Sequence, residues 1–82
     1  MSADIAGFVA DHIASQRMRL GMPLEEVARR SGIDSERLAE AENAQIRLNE
    51  DELQRLADVY GIDITAFFGG RITPLQYLFG AG

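Results

Sequence analysis

The side chains that could carry acid–base or metal chemistry are few in this chain and poorly spaced for it. Cysteine is absent and His12 is the sole histidine, which excludes thiolate metal sites and disulfides and argues against a zinc site. Glu25 and Glu26 are neighbours on a predicted helix, so their carboxylates point in different directions. There is no glycine-rich phosphate loop and no nucleophile beside the histidine. We therefore expect neither an enzyme nor a cofactor-binding protein.

Length and net charge limit the classes of protein to which this chain can belong. The 82 residues suffice for one small domain. The 13 acidic residues outnumber eight basic ones, all arginine, which gives a net charge of −5. This field opposes approach to nucleic acid, although an arginine cluster can still act within a Debye length of about 10 Å. The apolar runs are too short to span a bilayer and the N-terminus lacks a secretory signal, so we expect a cytoplasmic protein.

Apolar residues recur at steps of three and four along the chain, which predicts an all-α fold of five short helices. The first is expected from about residue 3 or 4 to Leu20, where Gly21 ends it. Pro23 suits the first turn of the second helix, which should run to about Ser31.

Capping residues mark the other three helices. Asp34 is a good N-cap for the third helix, which should end near Asn43, a residue that tolerates the left-handed conformation. Asn49 and Glu52 have the spacing of a capping box and predict the start of the fourth helix. Asp63 is expected to cap the fifth.

The region from Leu24 to Glu42 has the spacing of two helices joined by a tight turn. Gly32 lies where the turn needs a positive φ angle, and Ala28 is small where two helices would cross closely. The apolar positions in this region are Val27, Ile33, Leu38 and Ala41. This pattern is the skeleton of a helix-turn-helix, and it resembles the Cro and phage-repressor (Xre-like) family over about residues 13–68.

The resemblance implies both a fold and a function. The fold would be a five-helix, lambda-repressor-like domain over residues 1–70, with the helix-turn-helix at about 24–42 and a short hydrophobic tail at 71–82. The function would be transcription regulation by a homodimer that places its third helix in the major groove of an operator with two half-sites. In this family the residues matching Arg17 and Glu42 form a partly buried structural ion pair.

The family's docking mode also implies which side chains would contact DNA. The positions facing base edges are Ser35, Glu36, Arg37 and Glu40, and those near phosphate are Gln45 and Arg47. Arginine can pair with guanine and glutamate can accept from cytosine N4, although phosphate repels glutamate. Arg37 could instead pair with Glu36 or Glu40 on its own helix. Where the family has a capping hydroxyl and a phosphate-binding glutamine, this chain has Pro23 and Leu24, so one anchor is lost.

The tail carries more large apolar side chains than a five-helix core needs, namely Leu75, Tyr77, Leu78 and Phe79. They predict a dimer interface, since exposed apolar patches usually mark contact sites. The alternative is a flap packed on the domain's own surface.

The acidic third helix leaves a second function open. The same fold could serve as a protein-interaction module, such as a co-regulator or antirepressor that binds another regulator. Glu36, Glu40 and the acidic run at residues 50–52 would then meet a basic partner. A negative surface over the third helix would favour protein binding, and a positive rim made by Arg30, Arg37 and Arg47 would favour DNA.

Overall fold

Four α-helices and one 3-10 helix make up the part of the chain that the computed structural model describes, residues 5–69 and residue 77. The elements are α1 (Ile5–Arg19), α2 (Leu24–Ser31), α3 (Ser35–Glu42), α4 (Glu50–Tyr60) and the 3-10 helix (Ile64–Phe68). The all-α prediction is confirmed, but the fifth helix is a 3-10 helix rather than an α-helix. It is only five residues long, between its cap Asp63 and the left-handed Gly69 (φ 59°), a length typical of 3-10 helices.

The first two helices meet at a turn that begins slightly earlier than predicted. α1 buries Val9, Ala10 and Ile13. Leu20, expected in the first helix, follows its last residue and is 39% exposed. Pro23 lies just before α2 as its N-cap, where a proline's missing N–H leaves no helical hydrogen bond unmade.

The turn between α2 and α3 is built around Gly32, as predicted. Gly32 has φ 77°, and its N–H donates to the carbonyl oxygen of Ala28 at 2.9 Å. Asp34 caps α3 by accepting hydrogen bonds from the N–H groups of Glu36 and Arg37. These local bonds fix the direction in which α3 leaves the turn.

The end of α3 and the start of α4 differ in how far the sequence predicts them. α3 ends at Glu42, but the left-handed residue that follows is Ala44 (φ 61°) and not Asn43 (φ −97°). The side-chain amide of Asn43 instead donates to the carbonyl oxygen of Ala39 at 3.0 Å. The capping box predicted for α4 is confirmed, with Asn49 and Glu52 bonded in both directions.

One hydrophobic core joins the elements. α1 packs against α3 and the 3-10 helix, and α2 packs against α3 and α4. Large core side chains come from each element and from the loop before α4: Val9, Ile13, Val27, Leu38, Leu48, Leu53, Leu56, Phe67 and Phe68. Tyr77 belongs to the same core. Among the helices of residues 5–69, none is long and apolar enough to cross a membrane.

Candidate nucleic-acid interface

The outer face of α3 is polar and acidic, while its inner face is apolar. Leu38 and Ala41 are buried in the core. Glu36 and Glu40 are exposed, and Ser35 is half-buried. Ionised carboxylates only accept hydrogen bonds, whereas the hydroxyl of Ser35 can donate or accept. This face therefore offers mainly hydrogen-bond acceptors.

Arg37 differs from its neighbours on α3 because another helix holds its guanidinium. Its Nε and Nη2 donate to Oε2 and Oε1 of Glu52 on α4, at 2.7 and 2.9 Å. The alternative in which Arg37 pairs with Glu36 or Glu40 on its own helix is replaced by this bidentate pair with Glu52. The hydrogen bonds from Arg37 lower the pKa of Glu52 below its ordinary value. Arg37, one of the candidates on α3 for contacting a DNA base, is thus bonded to α4.

The loop between α3 and α4 is tied to Tyr77. Arg47 donates from Nη1 to the carbonyl oxygen of Tyr77 at 2.7 Å, and its guanidinium carbon lies 5.6 Å from the centre of the tyrosine ring. The Tyr77 hydroxyl accepts a hydrogen bond from the N–H of Leu48 at 2.8 Å. Gln45 is exposed in the same loop. Both candidate phosphate-contacting residues, Gln45 and Arg47, therefore lie on a loop that Tyr77 helps to position.

The burial of Tyr77 does not fit the expectation that it lies at a dimer interface. The residue is 2% exposed, and its ring meets the ring of Phe68 edge-on with centroids 5.9 Å apart. The alternative of a segment packed on the domain's own surface describes Tyr77 better, because its ring is buried in the core of its own domain. Leu75, Leu78 and Phe79, the other residues predicted for a dimer interface, lie outside the described residues.

An ion pair between Arg17 and Glu42 fixes α3 to α1. Arg17 donates from Nε and Nη2 to the two carboxylate oxygens of Glu42, at 2.7 and 2.9 Å. Its remaining nitrogen donates to the carbonyl oxygen of Met22 at 3.0 Å. The side chain of Glu42 is 10% exposed and that of Arg17 is 19% exposed. The hydrogen bond to Glu42 raises the pKa of Arg17 above its ordinary value. The pair sets the position of the helix whose outer face is acidic.

A family model described as helix-turn-helix matches residues 13–67, more than half of the chain. The chain belongs to this Cro/C1-type helix-turn-helix family. The family is one of DNA-binding regulators and is not typically enzymatic. No curated protein and no solved structure matches the chain. Tyr77 lies beyond the residues that the family model matches, so its contacts are a feature of this chain and not of the matched pattern.

Each arginine within residues 5–69 of this helix-turn-helix domain has an intramolecular acceptor. Arg29 and Arg30 donate to the same oxygen of Glu26, at 2.6 and 2.7 Å. The remaining arginines use separate acceptors: Arg17 with Glu42, Arg19 with Gln16, Arg37 with Glu52, Arg47 with Tyr77 and Arg55 with Asp51. Five of these seven arginines are paired with a carboxylate, whereas Arg19 and Arg47 donate to uncharged oxygens, so their positive charge is not compensated by these contacts.

Several acidic side chains, in contrast, have no ion-pair partner among the described residues. They are Asp11, Glu25, Asp34, Glu36, Glu40, Glu50, Asp58 and Asp63. Glu36 and Glu40 lie on the outer face of α3, and Glu50 opens α4. The outer face of α3 is thus acidic, unlike the basic face that a phosphate-binding domain usually presents.

The side chain of His12 has a structural role, because it contacts Phe8 one turn earlier on the same helix. Its Nδ1 lies 2.8 Å from the carbonyl oxygen of Phe8, and the two rings pack with centroids 4.4 Å apart. The described part of the chain contains no group of histidine and acidic residues that could hold a metal ion.

Sequence reasoning misses two residues that shape this interface, Glu52 and Tyr77. The capping box gives a signal for Glu52, since its spacing predicts a fixed carboxylate at the start of α4. It gives no signal that Arg37 reaches that carboxylate from another helix. Tyr77 stands among apolar residues that could belong to a core or to an interface, and the pattern alone does not separate the two.

Proposed function

We propose that the protein is a transcriptional regulator of the Xre-like class that binds duplex DNA with α3 in the major groove. The observation that carries this proposal is the helix-turn-helix match together with the orientation of α3. This helix turns its apolar side chains into the core and leaves Ser35, Glu36 and Glu40 toward solvent. A helix placed this way can bring its outer side chains to base edges in the groove.

The outer side chains of α3 can form hydrogen bonds with the edges of bases. Arg37 is proposed to pair with guanine, and Ser35 with either a donor or an acceptor. Glu36 and Glu40 can accept from the amino group of cytosine. Gln45 and Arg47, on the loop after α3, are the proposed phosphate contacts. They would fix the register of the domain on the duplex.

The acidic surface implies that binding depends on specific contacts more than on charge. With a net charge of −5 and most of the described arginines paired with carboxylates, non-specific attraction to DNA is weak. A homodimer that joins two half-sites would recover affinity, because the second domain then binds at high effective concentration. We propose that Leu75, Leu78 and Phe79 contribute to this dimer, on the strength of their apolar character, and we remove Tyr77 from that set.

The test is a salt titration of binding to mixed-sequence duplex DNA. The variant carries both Arg37→Ala and Arg47→Ala, and the charge-matched control carries Arg19→Ala and Arg55→Ala. We expect wild-type affinity to fall as salt rises, and the slope to be shallower by about one unit in the variant, which removes one proposed phosphate contact, that of Arg47. The control should keep the wild-type slope. No binding at low salt would contradict the proposal.

A second candidate function is a protein-interaction module that binds a basic segment of another regulator. The observation that favours it is the absence of an ion-pair partner for Glu36, Glu40 and Glu50 within the described residues. An arginine- and lysine-rich peptide is the probe. Under this function the double variant Glu36→Gln, Glu40→Gln loses peptide binding, while Glu25→Gln, Asp58→Gln keeps it.

A further inference from the structure

Glu52 lies on α4, outside the helix proposed to read DNA, yet it holds the arginine of α3. Arg37 Nε donates to Glu52 Oε2 at 2.7 Å and Arg37 Nη2 donates to Oε1 at 2.9 Å. Both contacts come from one edge of the guanidinium. The arginine is therefore gripped in a single plane, as two parallel hydrogen bonds require.

The carboxylate that grips Arg37 is itself fixed. Glu52 Oε1 also accepts a hydrogen bond from the N–H of Asn49 at 2.9 Å, while Asn49 Oδ1 accepts from the N–H of Glu52 at 2.8 Å. The Glu52 side chain is 15% exposed, against 42% for Arg37. The side chain of Glu52 is thus more buried than that of Arg37, and it is anchored by the first turn of its own helix.

The grip leaves donors available on Arg37. A guanidinium has five N–H groups, and the two hydrogen bonds to Glu52 use two of them. The two on Nη1 and one on Nη2 remain. Two parallel donors are what the O6 and N7 acceptors of guanine require, and the edge between Nη1 and Nη2 supplies them. Arg37 can therefore bind a base without leaving Glu52.

We propose that Glu52 is a positioning residue that determines specificity: by holding Arg37, it presents the free edge of the guanidinium to guanine. A free arginine side chain samples many rotamers and loses that freedom on binding, whereas one already held by Glu52 loses less. This proposal rests on the proposed function, in which α3 reads DNA. It makes base reading by α3 depend on a residue of α4.

The test compares two charge-matched variants on an operator selected from random duplexes with the wild-type protein. Glu52→Gln removes the charged grip but keeps the capping box, which accepts glutamine at this position. Glu50→Gln makes the same change of charge in the same turn, on an exposed residue without an ion-pair partner among residues 5–69. We expect Glu52→Gln to weaken operator binding about tenfold relative to Glu50→Gln, within the range for one bidentate base contact.

Two further readouts separate positioning from a general structural role. Selection repeated with Glu52→Gln should lose the guanine preference at one position of the half-site, as it should with Arg37→Ala. In the Arg37→Ala background, adding Glu52→Gln should change operator affinity no more than adding Glu50→Gln does. Circular dichroism and unfolding of each variant verify that the fold is kept.

The outcomes distinguish the two proposals. If the wild type binds an operator but Glu52→Gln behaves as Glu50→Gln, or binds more tightly than it, Glu52 does not position Arg37 and only this inference is overturned. If the wild type selects no duplex and shows no salt-dependent binding, the proposed function is overturned and this inference with it.

Discussion

Tyr77 accepts a hydrogen bond from the backbone N–H of Leu48 at 2.8 Å, across 29 residues of sequence. Leu48 is 1% exposed, so its N–H has no access to bulk water and depends on this phenolic oxygen. Because Leu48 belongs to the loop between α3 and α4, a residue near the C-terminus helps to hold the loop that carries Gln45 and Arg47.

Replacing Tyr77 by phenylalanine should destabilise the domain by about 1–3 kcal/mol, the usual cost of leaving a buried donor without its acceptor. The ring and its contact with Phe68 are kept, so the change isolates the hydroxyl. Urea unfolding measures the free energy. Tyr60→Phe is the matched control, because the buried hydroxyl of Tyr60 has no hydrogen-bond partner within the described residues. Its removal should be neutral or stabilising, and equal losses in both variants would contradict the assignment.

Both tyrosines should resist ionisation in the folded protein. Burial raises the pKa of Tyr60 and of Tyr77 above the ordinary value of 10.0. Since the folded pKa exceeds the unfolded one, this contribution to stability is complete below pH 10 and is lost as the pH rises through the folded values. Ultraviolet titration should show little phenolate at pH 10 in the folded chain, and about half ionisation in denaturant. Phenolate appearing near pH 10 without unfolding would contradict this prediction.

The pair of Arg37 and Glu52 should appear in the acid unfolding of the protein. Hydrogen bonds from Arg37 and from the N–H of Asn49 hold the pKa of Glu52 below its ordinary value of 4.5. A carboxyl with a lowered folded pKa stabilises the fold fully above its unfolded pKa and loses that effect as the pH falls through the folded value. From pH 7 down to about pH 3, the wild type should therefore lose more stability than Glu52→Gln, mostly below about pH 4.5. Parallel unfolding curves would show that the pair contributes nothing.

Replacing Arg17 by lysine should destabilise the fold. Lysine keeps the charge but cannot form the two parallel hydrogen bonds to Glu42 or the third to Met22. We expect Arg17→Lys to cost about 1.5–3 kcal/mol in unfolding experiments, the range for hydrogen bonds to charged groups. Arg19→Lys provides the control on the same helix. Its bonds to Gln16 are exposed, and we expect a change within about 0.5 kcal/mol.

The features that sequence predicts well are those set by residues close together in the chain. Asp34 and the capping box of Asn49 and Glu52 are predictable because their hydrogen bonds span only two or three residues. Gly32 is predictable because the turn needs a positive φ angle, which glycine adopts without strain. These local signals, with the apolar periodicity, suffice for an all-α helix-turn-helix fold.

The features that sequence misses depend on distant residues. Arg37 could be assigned to its own helix or to DNA, but Glu52 lies 15 residues away in the sequence and comes within hydrogen-bond distance only in the folded chain. The apolar pattern around Tyr77 predicts an interface, because such patterns do not distinguish a domain's own core from a surface that binds a partner. The outer face of α3 is predictable, since the helical period places Glu36 and Glu40 opposite Leu38 and Ala41.

The single oxygen of Glu26 that accepts from both Arg29 and Arg30 has an evolutionary consequence. One carboxylate masks two cations beside the turn, so one codon change at Glu26 would unmask both. The masking of these two arginines is therefore easily lost by mutation, although the net charge of the chain would move only from −5 to −4. A lineage could thus create a local pair of unmasked positive charges beside the turn in a single step, without altering the core or the caps that hold the helices.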